Sequence, residues 1–188
     1  MKLYIHMFIA LILFVGSTNA QWNEGEERRP VPDTPWRSSS GDFGAMLMIT
    51  NDPDGFFEEW NKPPSPDYKP NMSTVSEAQR GDVVMAIILF SGCSADQVGD
   101  CNSQVDFKVY KPDGSLYSEH SNGELWSNKP AIPQGSMQVS VSNLGFKVEL
   151  DDQLGEYRIE AVVRDMNAKK SLKLVQTFRI EETSGKGA

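Results

Sequence analysis

From Gly81 to Ile180 apolar side chains recur at every second residue, and no segment carries a 3.6-residue apolar stripe over helix length. A period of two sends successive side chains to opposite faces of a strand. Val105, Phe107 and Val109 alternate with Asp106, Lys108 and Tyr110. Met137, Val139 and Val141 alternate with Gln138, Ser140 and Ser142, and Phe146, Val148 and Leu150 with Lys147 and Glu149. Tyr157, Ile159, Ala161 and Val163 alternate with Arg158, Glu160 and Arg164. Leu172, Leu174, Phe178 and Ile180 share a parity that Gln176 interrupts. Val83 to Phe90 is almost continuously apolar, which suits a central strand buried on both faces. Lys111-Pro112-Asp113-Gly114 and the polar stretch Asp165 to Lys170 are turns, and Leu116 to Glu119 and Glu124 to Trp126 are short strands. The expectation is an all-β, antiparallel β-sandwich of about seven strands with an N-terminal extension.

The start of the chain bears on location. Lys2, the apolar run Met7 to Val15 and the small residues Thr18 and Ala20 form a cleavable export signal over residues 1–20, cut before Gln21. The run is about half the roughly 20 residues that span a bilayer. The expectation is a periplasmic or extracellular protein with no stable membrane insertion after cleavage. Loss of Lys2 takes the formal net charge from −8 to −9. An acidic surface repels phosphate backbones, so nucleic acid is excluded as a partner. In an oxidising compartment Cys93 and Cys101 pair as one disulfide, a loop staple.

Residues 21–42 are polar and Pro-rich and are expected as a flexible lead. Within it, Trp22 and Trp36 either dock on the domain or contact a partner. The sandwich spans 43–181 with its core in 75–181, and 182–188 is a frayed tail. Phe43 to Thr50 is the first strand, and Asn51-Asp52-Pro53-Asp54-Gly55 is turn chemistry. Phe56, Phe57 and Trp60 follow, with Tyr68 among Pro63, Pro64, Pro66 and Pro70, so Asn61 to Val75 is an irregular excursion.

Asp152-Gln153-Leu154-Gly155-Glu156-Tyr157 resembles the tyrosine corner of immunoglobulin-like sandwiches. Gly81-Asp82 before an apolar strand, Pro112-Asp113-Gly114 after another, and Gly155-Glu156-Tyr157 resemble the macroglobulin-type variant of that fold. The resemblance covers about residues 75 to 181. It implies structural roles for Asp152, Gly155 and Tyr157, whose hydroxyl would close the corner on upstream backbone. This fold hosts many functions, so it does not name one.

The catalytic vocabulary is thin. Beyond the signal there is one histidine, His120, and no Gly-x-Ser-x-Gly elbow. A zinc site wants more imidazoles, and an N-terminal histidine brace is lacking because Gln21 is the expected terminus. Met46 and Met48 have a spacing that suits cuprous ion, but read better as the second face of a packed strand. Asp52, Asp54, Asp96 and Asp100 are turn acids, and Asp151 and Asp152 belong to the corner. Asn71-Met72-Ser73 is a glycosylation sequon, relevant only in a eukaryote. No catalytic residue, metal or cofactor is assigned.

The function expected is a non-enzymatic interaction module for another envelope or extracellular protein. It would use the aromatic–proline loop (Phe56, Phe57, Trp60, Tyr68) or an exposed sheet edge at Leu116 to Trp126, with Trp126 as a contact. The alternative is a small-ligand or carbohydrate-binding domain with those rings as a platform. An enzyme using carboxylates alone is the third reading.

Overall fold

The computed structural model describes residues 23–24, 29–63, 70–133 and 135–182. The expected export signal (1–20), Trp22, Tyr68 and residues 183–188 lie outside them. In chain order the elements are β1 (Asn23–Glu24), β2 (Arg29–Pro30), β3 (Arg37–Ser40), β4 (Phe43–Thr50), α1 (Pro53–Trp60), β5 (Glu77–Gln79) and β6 (Val83–Ser91). They continue with β7 (Asp100–Tyr110), β8 (Leu116–Pro130), β9 (Gln138–Val139), β10 (Leu144–Lys147), β11 (Gly155–Asp165) and β12 (Lys170–Glu181). Besides the small β1–β2 pairing there are two five-stranded sheets. The first runs β10-β6-β4-β3, with β9 also on β6; the second runs β5-β12-β11-β7-β8.

One hydrophobic cluster joins the two sheets. Phe43, Ala45, Leu47 and Ile49 of β4 and Val84, Ala86, Ile88 and Phe90 of β6 meet Val105, Phe107 and Val109 of β7. Tyr157, Ile159, Ala161 and Val163 of β11, with Leu172, Leu174, Phe178 and Ile180 of β12, belong to it too. These are the alternating residues of the sequence, now turned to one side. β6 is the exception that its continuous run anticipated. Its odd residues Ile87 and Leu89 are buried in a second cluster, on the opposite face of the first sheet.

Several expectations need correction. The stretch expected as a flexible lead contributes β3, which pairs with β4 from Arg37–Met46 to Ser40–Phe43. Backbone bonds extend that attachment: Leu47 N–H donates to Trp36 O at 2.8 Å and Val175 N–H to Pro35 O at 2.6 Å. A sheet edge offers unpaired donors that a polar segment satisfies without burying side chains.

The Asn51–Gly55 turn is instead a helix start. Asp52 is the N-cap of α1, its Oδ1 accepting from Gly55 N–H at 3.0 Å, and Pro53 stands in the first turn. Asp and Pro serve a helix start as well as a turn, and burial of Phe56 decides between them.

The two short strands at 116–119 and 124–126 are one strand, β8, which follows β7 past several register shifts. Asn122 and Asn128, at φ 56° and 54°, absorb the irregularity with a residue type that tolerates left-handed backbone. β10 ends at Lys147, so Leu150, expected inward, is 80% exposed. Val141, also expected inward, is half exposed because β9 stops at Val139. Finally, β5 runs parallel to β12, so the second sheet is not wholly antiparallel.

Candidate functional site

The aromatic burst is not a loop. It lies on α1, which sits across the outer face of the first sheet. Phe56 is 0% exposed and packs with Ile87, Leu89 and Val139. Phe57 meets Phe56 edge-on, with centroids 5.6 Å apart, and Trp60 is half-buried against the same cluster. Glu59 ties the helix to the returning chain by accepting from Asn71 N–H at 2.9 Å and pairing with Lys62 at 2.5 Å. A planar platform for sugar stacking is therefore not presented by Phe56. Trp126 is elsewhere: its ring packs 6.3 Å from Phe90, at the cluster between the sheets. Its indole N–H donates to Pro130 O at 3.1 Å, and Lys129 lies 5.3 Å over the ring. The aromatic candidates are thus divided between opposite faces of the first sheet.

The sheet edge has two parts. β8 is the last strand of the second sheet, and among the described strands it is laddered with β7. At Glu124–Leu125 the outer side is taken, because Ser142 N–H donates to Glu124 O at 2.8 Å and Val141 N–H to Leu125 O at 3.0 Å. From Leu116 to Ser121 the outer side carries no backbone partner among the described residues. Within that stretch Ser118, Glu119 and His120 stay in regular register with Val109, Lys108 and Phe107. Glu119 pairs with Lys108 at 3.4 Å. The sequence pointed to 116–126 as the edge; the covered portion at 124–125 had no local signal, since it depends on a segment far along the chain.

The corner residues assemble differently from the resemblance. Tyr157 is fully buried, stacked on Phe178 at 5.5 Å and edge-on to Tyr117 at 5.7 Å. Its hydroxyl makes no hydrogen bond among the described residues. Burial, then the charge of Asp152, push its phenol up from the ordinary value. Tyr117 takes the bonding role instead. Its hydroxyl donates to Asp152 Oδ2 at 3.1 Å, and Glu149 N–H donates to the same oxygen at 2.7 Å. Burial, followed by the bond to Asp152, pushes the Tyr117 phenol up to about 12. Gly155 has φ 125° and packs so closely on Pro112 that a β-carbon would sit 3.1 Å from its ring.

The Cys93–Cys101 disulfide is present, with Cα atoms 5.9 Å apart. Buried Asp165 anchors its loop, accepting from Ser94 N–H at 2.8 Å and from Asn167 N–H at 3.0 Å. Asp96 turns on its own loop: it accepts from Val98 and Asp100 N–H groups, and these bonds, Asp100 first, hold its carboxyl below the usual range. The turn acids therefore have backbone work to do. Among the described residues no three His, Cys, Asp or Glu side chains gather as a metal cage. None of the described helices is long and apolar enough to cross a membrane.

No family model matches the chain, and no curated protein matches it in sequence. Solved structures offer distant likenesses. A family 123 glycoside hydrolase from Clostridium perfringens aligns over 76% of this chain and 28% of its own, at 11% identity and TM-score 0.41. A Niemann-Pick type C2 protein from Japanese carpenter ant aligns over 77% of this chain and 91% of its own, at 9% identity and TM-score 0.39. A CARDB domain from Pyrococcus furiosus, in complex with di-metal ions, aligns over 80% and 97%, at 16% identity and TM-score 0.33. The chain spans little more than a quarter of the hydrolase it is compared with. Likenesses this distant say nothing about activity.

Proposed function

We propose that this is an exported, non-enzymatic, immunoglobulin-like sandwich that recruits an envelope or extracellular protein by pairing a strand onto β8. The observation that carries this reading is the open run Leu116 to Ser121, in regular register at its centre and without an outer backbone partner among the described residues. An edge of this kind presents N–H and C=O groups that a partner strand satisfies in one cooperative step. The disulfide and the chain's leading segment support export. The aromatic route is the weaker one, because Phe56 is spent on covering the first sheet. The same burial weakens the carbohydrate-platform reading.

Neighbouring residues of a strand point their N–H groups to opposite sides, so Ser118→Pro and Glu119→Pro form an informative pair. One removes a ladder bond to β7 and lowers Tm. The other removes an outward donor, keeps Tm, and should abolish capture of a partner crosslinked in intact cells. If the variant that keeps Tm captures the partner as the parent does, edge pairing is not the mode of binding.

A further inference from the structure

We propose that the outer face of the first sheet is a thioether site for a soft monovalent cation, Cu(I) or Ag(I), built around Met48 and Met85. Six of the chain's eight methionines lie beyond residue 20, and five of those six gather in one cluster: Met46, Met48, Met72, Met85 and Met137. Each is partly rather than fully buried.

The register places the strand methionines on one face. Met46 and Met48 are two apart on β4 and share a face. On β6, Met85 stands opposite Thr50 while Ile87 stands opposite Met48, which makes Met48 and Met85 diagonal cross-strand neighbours. Diagonal positions are about 7–8 Å apart, within the reach of two long side chains; Met85 leans toward β10, its Cε 3.4 Å from where a Gly145 β-carbon would sit, and would swing back to share an ion with Met48. Met72 arrives from the segment that returns after α1, and Met137 from the approach to β9. The sequence showed only the Met46–Met48 pair; the fold supplies further donors from separate parts of the chain.

The donor chemistry selects the ion. Both cysteines are locked in the disulfide, so thioethers are the soft sulfur donors that remain. Thioethers suit Cu(I), whereas zinc, calcium and magnesium want imidazole, thiolate or oxygen. The rings of Phe57 and Trp60 border the same cluster and would attract a desolvated cation through their faces. The unbranched side chains can rearrange around an ion at small cost, because methionine has three rotatable bonds.

The test uses Ag(I), which needs no reductant, on protein labelled at the methionine methyl carbons. A single equivalent should shift the methyl signals of Met48 and Met85, with Met46 next, and leave exposed Met166 unmoved. The double variant Met48→Leu, Met85→Leu keeps the volume and the fold. It should weaken Ag(I) binding by at least about tenfold, the loss that follows removal of a mere supporting group at a metal site. Met166→Leu should bind as the parent does. Uniform shifts at all methionines, or equal affinity of the double variant at an unchanged Tm, would overturn the proposal.

Discussion

The outer faces of the two sheets are opposites. On the first sheet Met46, Met48, Met85, Ile87 and Leu89 make an apolar surface, and α1 lies over it with Phe56. On the second sheet the outward residues are charged and paired across strands. Arg164 holds Asp106 through two bonds of 2.7 Å, Glu160 receives both Arg158 and Lys173, and Arg158 lies 4.5 Å over Tyr110. The difference follows from pattern. β7 and β11 alternate strictly and face water on one side, while β6 is apolar on both sides and needs a cover. The lesson is that a short helix here acts as part of the core, and that the aromatic residues nearest a proline-rich segment serve packing first.

Removing the cover should break the comparison most strongly. Phe56→Ala is expected to cost about 3–5 kcal/mol, read from urea unfolding, because it empties a fully buried site over an apolar sheet face. If it costs no more than an exposed substitution, the helix is not what shields that face.

The disulfide lies on the passage from the first sheet to the second. Replacing Cys93 and Cys101 by Ser should cost about 2.5 kcal/mol by loop entropy, measured under the same conditions. A neutral result would mean that the Asp165 anchor alone holds the loop.

The polar face should be the most tolerant. Arg164→Ala is expected to cost only about 1 kcal/mol, since the pair is partly solvated. Its pH dependence sharpens the point. The bond from Arg164 is the leading cause that holds the Asp106 carboxyl below 3.8, and hydrogen bonding led by Ser115 holds that of Asp113 at about 2. A depressed carboxyl stabilises the fold above its unfolded pKa and loses that contribution as pH falls through the folded value. The parent should therefore lose stability from just below pH 4 downward, and the gap between parent and Arg164→Ala should close over that range. Urea midpoints across that range measure it; a gap independent of pH would show that the pair is a packing contact only.

Much of the framework was legible. Phe43–Thr50 is a strand with the bounds read from its alternation, and the inward residues of β7, β11 and β12 are those of the sequence pattern. The continuous run of β6 correctly signalled burial on two sides. What was not legible is instructive. Polar Arg37–Ser40 has no strand signature of its own and becomes one by satisfying an edge. Asp52-Pro53 suits a turn or a helix cap equally, and only the pocket for Phe56 chooses. The corner acid was visible, but not that Tyr117, from a strand more than thirty residues away, donates to it.

The sequence by itself determined where side chains alternate, where the chain turns, and that two cysteines close one loop, because these depend on neighbours within a few residues. Tertiary structure alone decided which sheet face is covered, which stretch of β8 lacks an outer partner among the described residues, and which methionines share a face. Those outcomes depend on contacts between distant segments, and periodicity specifies the direction of a side chain but not what stands opposite it.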